Sequence, residues 1–321
     1  MFHRVLAASL WLVSLASTAV VFTAAAPAAD NIRYVSAAGN NANNCKLATP
    51  CRSLQRGINR TPVGGELRIL DSGDYGANGN IGKSMTISGN GHTVFVANGI
   101  VIDNADAVVK LRNLVLDGQG TNVAGISIVA AAAVHIERCV VSNFADDGIV
   151  SAASGVEVFV LDTISRDNGG DGLIDQAIGS SSRLTIDNSR FENNGFHGIR
   201  VLGGKATISR STASGNGGSG IVAVGASVNI NSTTAAQNID HGFLASGASR
   251  IMIESSVAHG NGGNGLFVFT GGTARISNST FTDNTTGIDN TGTVETRENN
   301  TVRDNSSSDL SGNALTPIGG I

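Results

Sequence analysis

The sequence predicts an all-β solenoid, a right-handed parallel β-helix with a short N-terminal helical cap. Three observations carry that prediction. A Gly followed by an apolar residue returns every 22–26 residues, each unit holds a short run of period-2 alternation, and polar bend residues keep fixed places between the runs. The Gly–apolar pairs are Gly99-Ile100, Gly125-Ile126, Gly148-Ile149, Gly172-Leu173, Gly198-Ile199, Gly220-Ile221, Gly242-Phe243, Gly265-Leu266 and Gly287-Ile288. Alternation over four or five residues specifies strands, because successive strand side chains leave opposite faces. Such strands cannot bury a face within one unit, but coils stacked ~4.8 Å apart can. Equivalent positions then become vertical neighbours.

Taken in order, the chain begins with a mildly basic Phe2-His3-Arg4, an apolar run from Val5 to Phe22 and the small-residue triplet Ala26-Pro27-Ala28. Residues 1–28 therefore read as a signal peptide cleaved near Ala28, with an uncleaved anchor as the alternative. No other segment is apolar enough to span a membrane, so none is expected in the mature chain. Residues 29–93 form the expected N-terminal cap and first rungs. Cys45 and Cys51 stand six apart without further ligands nearby, which favours a disulfide in an oxidising compartment over a metal site. Ser53–Ile58 is a weak helix suited to covering the open end of the solenoid.

Residues 94–305 are the expected repeats. Their strands carry paired inward residues, among them Val134/Ile136, Val158/Val160, Leu184/Ile186, Ala206/Ile208 and Val228/Ile230. Three residues later comes a small one: Cys139, Thr163, Ser189, Ser211, Thr233, Ser256 and Ser279. Four residues before the Gly stands Asn168, Asn194, Asn216, Asn238 or Asn261, with Asn143 one place early and Asp283 substituting in the last unit. Asn and the repeat Gly are both expected at bends because each tolerates left-handed backbone angles. Residues 306–321 are expected to form a frayed tail. A leucine-rich repeat would need an L-x-x-L-x-L consensus and helices, and a propeller blade about twice this period.

Composition bounds the function. Hydrophobic residues in a regular pattern make up 41%, which excludes disorder, while a net charge of −4 without basic clusters excludes nucleic-acid binding. The column pattern I-x-I-x-N/S-S followed by F/A-x-x-N-x-x-x-G-I, from Val94 to about Asn305, resembles the parallel β-helix repeat of the pectate-lyase-like superfamily. The stretch from Tyr34-Val35-Ser36 through Gly65–Asp71 resembles the start of exported bacterial members, which pair a Cys loop with a short helix. The resemblance implies the fold. It leaves the activity open, because the superfamily holds lyases, hydrolases, epimerases, tailspikes, adhesins and inert modules.

The column just before the repeat Gly carries the candidate site: Ala124, Asp147, Asp171, His197, Ser219, His241, Asn264 and Thr286. Asp147, Asp171 and His197 are expected to stack on one flank, with Asp146 adjacent and Arg200 two residues past Gly198. Such a cluster can share a proton, bind a cation or act as acid and base. Asp, Asn, His and Ser are also ordinary bend residues. Asp146-Asp147 and His197-Gly198 resemble the paired-Asp and His-Gly elements of polygalacturonases, but lie about two rungs apart instead of one, and the other motifs of that family are missing. A lateral stripe of Val150, Ile174, Val222, Leu244 and Phe267 is expected to point outward beside Arg200. Cys139 reads as an inert buried thiol.

The leading expectation is a secreted or periplasmic protein that acts by recognising a polysaccharide or cell-envelope surface. The alternative is a polysaccharide lyase or glycoside hydrolase on acidic polysaccharide, using Asp147, Asp171, His197 and Arg200 as catalytic residues, with Ca2+ as cofactor if a lyase. A structural rod or adhesin passenger is the second alternative.

Overall fold

The alternation of Leu184 and Ile186 with Arg183, Thr185 and Asp187 sets a five-residue strand whose apolar pair points inward, and the same rule repeats along the chain. The computed structural model describes residues 31–120, 124–177 and 181–319; the signal segment expected at 1–28 lies outside the described residues. Each coil contributes one strand to each of three parallel sheets. In one coil these are Arg183–Asp187 in sheet I, Ile199–Val201 in sheet II and Arg190–Glu192 in sheet III. Among the described residues, sheet I has thirteen strands, from Ile32–Val35 to Thr316–Pro317. Sheets II and III have eleven each, running from Gly79–Ile81 to Ser308–Gly312 and from Gly73–Asp74 to Thr301–Arg303. This is the right-handed parallel β-solenoid that the repeat predicts.

Register is maintained from coil to coil. Val158 pairs with Leu184, Leu184 with Ala206 and Ala206 with Val228, so inward residues form vertical columns through the core. The sheet III column contains Val141, Phe191, Ala213, Ala235, Ala258 and Phe281, all fully buried, and one polar member, Ser165. The Ser165 hydroxyl donates to the Gly172 carbonyl at 2.7 Å, which satisfies it inside the core.

Two buried side-chain ladders seal the corners. Along the first, the amide N–H of Thr163 donates to Ser189 Oγ at 3.1 Å, that of Ser189 to Ser211 Oγ at 3.2 Å, and that of Thr233 to Ser256 Oγ at 3.2 Å. Cys139 begins this column, buried, its amide donating to Thr163 Oγ1. In the second ladder, each Asn side-chain oxygen accepts both the main-chain N–H and the side-chain amide of the Asn below. Asn194 donates in this way to Asn216, and Asn216 to Asn238. The ladder runs through Asn168, Asn194, Asn216, Asn238, Asn261, Asn284 and Asn305.

Three expectations about the bends need correction. The left-handed angles do not fall on the ladder Asn but on the residue before it, at φ 54–67° in Asn143, Asp167, Asn193, Gly215, Gln237, Gly260, Asp283 and Asp304. An Asn with both amide groups committed to its neighbours is fixed by stacking instead. Consequently Asn143 and Asp283 are corner residues. Phe144 occupies the ladder position in the first of those coils, and Asn284 in the second. Nor do Gly148, Gly172, Gly198, Gly220, Gly242, Gly265 and Gly287 adopt left-handed angles. They are glycines because the next coil is too close: a Cβ on Gly172 would lie 2.6 Å from the Gly198 carbonyl and 2.7 Å from Asn194 Nδ2.

The disulfide expected between Cys45 and Cys51 is present. The single helix among the described residues, Leu54–Arg60, starts at Ser53, whose hydroxyl accepts from the Arg56 amide. It buries Leu54 and Ile58, and Gly57 lets it approach Val35 and Leu67, which belong to the first two strands of sheet I. At the other end, Ser308–Gly312 and Thr316–Pro317 pair with sheets II and I, so strands extend into the segment expected as a tail.

Candidate functional site

The candidate residues sit where the Asn loop enters sheet II. Backbone pairing fixes their alignment: the Gly148 amide donates to the Asp171 carbonyl at 2.8 Å and that of Gly172 to the His197 carbonyl at 2.9 Å. Asp147, Asp171 and His197 therefore lie one above another, as the register requires.

Their side chains also join the coils. Asp147 Oδ1 accepts the Asp171 amide N–H at 2.6 Å, and Asp171 Oδ1 accepts that of His197 at 2.9 Å. His197 Nδ1 accepts the Ser219 amide at 2.9 Å, Ser219 Oγ the His241 amide at 3.3 Å, and His241 Nδ1 the Asn264 amide at 3.0 Å. The column is thus a third ladder, in which each side chain satisfies the main chain of the coil above. Asp, Ser and neutral His share this place because each presents a short-range acceptor. Gly218 and Gly263 precede Ser219 and Asn264 because a Cβ there would lie 2.6 Å from His197 Nδ1 and 2.7 Å from His241 Nδ1.

The electrostatics follow from that packing. Asp171 is fully buried, and its second oxygen is held by Arg200, with Nε at 2.7 Å and Nη2 at 2.6 Å. Burial, reinforced by the Asp171 and Asp146 charges, pushes the Asp147 carboxyl up to about 6 against the bond from the Asp171 amide. Burial lowers both His197 and His241 below the ordinary imidazole range, and carboxylates nearby only partly offset this. With Nδ1 accepting, each ring is neutral near pH 7 and carries its proton on Nε2.

Beside this ladder lies an aromatic strip that the sequence reading largely missed. Phe196, 47% exposed, packs its ring 4.2 Å from His197, and the Arg200 guanidinium lies 5.4 Å from its centroid. Phe267 is 4.9 Å from His241 and 4.7 Å from Phe269, which is 49% exposed. Position next to the His column was the available signal for Phe196. The expected outward apolar stripe is only partly exposed. Ile174 and Val222, in register on either side of Arg200, are buried, while Leu244 and Phe267 remain partly open.

Residues 166–307 match the family described as "Right handed beta helix region". No curated protein matches the chain. Among solved structures it is similar to pectate lyase Pel9A, at 16% identity over 88% of this chain and 78% of that one, with a TM-score of 0.52. It is also similar to a double mutant of the periplasmic alginate epimerase AlgG, at 15% identity over 83% and 81%, TM-score 0.55. A third similar structure is the GH136 lacto-N-biosidase from Eubacterium ramulus, at 10% identity over 91% and 67%, TM-score 0.52. At these identities the likeness is one of fold. The chain has the right-handed β-helix of the pectate-lyase-like fold.

Proposed function

We propose that the protein recognises a polysaccharide through the outer face of sheet II, outside the cytosol, without cleaving it. The observation that carries this reading is the commitment of the titratable column: Asp147, Asp171, His197 and His241 each hold a main-chain N–H of the next coil, while Phe196, Leu244, Phe267 and Phe269 stay open beside it. Flat aromatic and aliphatic surfaces suit the C–H face of a sugar ring, and the Nε2–H groups of His197 and His241, the ring nitrogens not bonded to the next coil, are donors for its hydroxyls. The Cys45–Cys51 disulfide supports an extracytosolic site. The helix at Leu54–Arg60, laid on the first strands, serves as the cover of the N-terminal end.

An enzymatic reading has one specific observation in its favour, the Asp147 carboxyl near 6, in the range of a general acid. In that reading, Ca2+ would be the cofactor if the enzyme were a lyase; Asp171, the acid nearest Asp147 in the column, has its oxygens engaged by the His197 amide and by Arg200. Retention of the purified protein on insoluble pectate, alginate and cell-envelope fractions tests the proposal. Binding that falls severalfold in Phe196→Ala/Phe267→Ala, with an unchanged circular dichroism spectrum and no released oligosaccharide, is the expected result. Product release that disappears in Asp147→Asn would replace recognition with catalysis.

A further inference from the structure

A second face of the solenoid carries its own binding features. On the outer side of sheet I, register places Glu157, Arg183, Lys205, Ser227, Arg250, Thr273 and Thr293 in one vertical column. Among the described residues, Arg183, Lys205 and Arg250 form no ion pair, although the chain as a whole is acidic. Where this column passes Arg250 the surface hollows into a cleft of about 310 Å³, lined by Ser227, Asn229, Arg250, Met252, Thr273 and Arg275 among others. Met252 stands 44% exposed in it, and Arg275 is anchored through Nε by Glu295.

We infer that this cleft and the cationic column leading to it bind a carboxylate-bearing glycan laid along the stack, with one acidic sugar seated at Arg250. Glu295 also lines the cleft, but its carboxylate is neutralised by Arg275, which leaves Arg250 as the unpaired charge there. A free guanidinium matches a carboxylate in a two-pronged geometry. Met252 offers a polarisable apolar floor for a ring face, and Ser227, Thr273 and Asn229 offer hydroxyl and amide partners for ring hydroxyls. Beyond Glu157, which stands at the end next to Arg183, the column from Arg183 to Thr293 holds three cations and no acid, which matches a polymer with repeated charge. A cleft of this volume is at the small end of small-molecule sites and suits a single ring better than a folded partner. An extended peptide would instead seek a free sheet edge, and this face lies in the middle of the sheet. The site is on a different sheet from the aromatic strip and does not depend on it.

Isothermal titration with trigalacturonic acid, and with the same trisaccharide fully methyl-esterified, tests the inference. The acid is expected to bind, the ester to bind about tenfold more weakly, and Arg250→Gln to lose about the same factor. Lys205→Gln should reduce the salt dependence of binding while leaving the fold intact. Equal affinity for acid and ester, no detectable binding, or an Arg250→Gln variant that binds like the parent would overturn the inference. So would a loss of trigalacturonate binding in Phe196→Ala/Phe267→Ala with Arg250→Gln unaffected, since that places the ligand on sheet II. Retention on insoluble polymer that survives Arg250→Gln leaves the sheet II proposal standing either way.

Discussion

Truncating Asn216 to Ala should cost this protein much more than its one lost side chain suggests. Asn216 is fully buried in the middle of the Asn ladder. Its Oδ1 accepts the Asn194 amide N–H and the Asn194 side-chain amide, both at 3.1 Å, and its Nδ2 donates to the Phe191 carbonyl at 3.1 Å and to Asn238 Oδ1 at 2.9 Å. The variant leaves the Asn194 N–H without a partner and strips one bond each from the Asn194 amide, the Phe191 carbonyl and Asn238. Asn238 retains the bond from the Asn216 main chain. A buried group left unsatisfied costs about 1–3 kcal/mol; the Asn194 N–H is that group, since the Asn194 side chain keeps the Ser165 carbonyl, and the other lost bonds add about 1 kcal/mol, giving roughly 2–4 kcal/mol. Asn305 closes the same ladder, accepting from Asn284 at 3.0 and 3.2 Å, but is partly exposed. Water replaces its bonds, and Asn305→Ala should cost about 1 kcal/mol.

Equilibrium urea unfolding followed by far-ultraviolet circular dichroism measures both values, with tryptic nicking to detect coils that open separately in a repeat array. A loss of about 1 kcal/mol or less in Asn216→Ala, or equal losses at the two sites, would falsify the view that buried ladder bonds hold the coils in register.

Two further predictions concern the site. Asp147 titrates near 6 in the folded chain against 3.8 for a free carboxyl, so between these values the native state holds more protons than the unfolded one. Its contribution is therefore present below about pH 4 and lost as pH rises through about 6. Asp147→Asn, which keeps the acceptor for Asp171, should raise stability at pH 7.5 by on the order of 1–3 kcal/mol and by little at pH 4; equal gains at both pH values would contradict the assignment. Arg200→Gln leaves the Asp171 carboxylate buried with its charge uncompensated and should destabilise by about 3–5 kcal/mol at pH 7, an effect that Asp171→Asn in the same chain largely removes in a double-mutant cycle.

The solenoid was legible because its rules are local and repeat: period-2 alternation names the inward residues, and equal spacing names the columns. Reading by residue type alone caused the errors at the corners. From Asn168 to Asn284 the ladder Asn stands five residues after the Ser/Thr ladder, as in Thr163 to Asn168, Ser211 to Asn216 and Ser279 to Asn284. By that count Cys139 points to Phe144, and Asn143 falls outside the ladder. The count holds because a two-residue corner and a three-residue sheet III strand cannot change length, whereas the loop on to the Gly can. The aligned Asp147, Asp171 and His197 were equally legible. Their bonds to the coil above were not, because these depend on where main-chain N–H groups point. The sheet I column escaped notice because Arg183, Lys205 and Arg250 lie in separate coils, with no local charge run to mark them.

Those main-chain bonds also bear on the two readings of the column. Hydrolysis of a glycosidic bond by paired carboxylates needs two groups with oxygens available, one to give a proton and one to attack or activate water. Asp171 is fully buried, and its oxygens are engaged by the His197 amide and by Arg200, so attack or activation of water from it would have to compete with both. His197 and His241 have spent their one basic nitrogen on the next coil. Asp147 keeps a single oxygen outside these bonds, an acid without a base in the same column. Freeing a partner would require opening a coil-to-coil bond whose donor is a buried main-chain N–H, a cost of about 1–3 kcal/mol added to any barrier. A surface that only had to hold a sugar ring would carry no such cost, because Phe196, Phe267 and Phe269 are open with the ladder intact. Under the proposed recognition reading, the column that looks most like a catalytic site serves instead to hold the face beside it rigid.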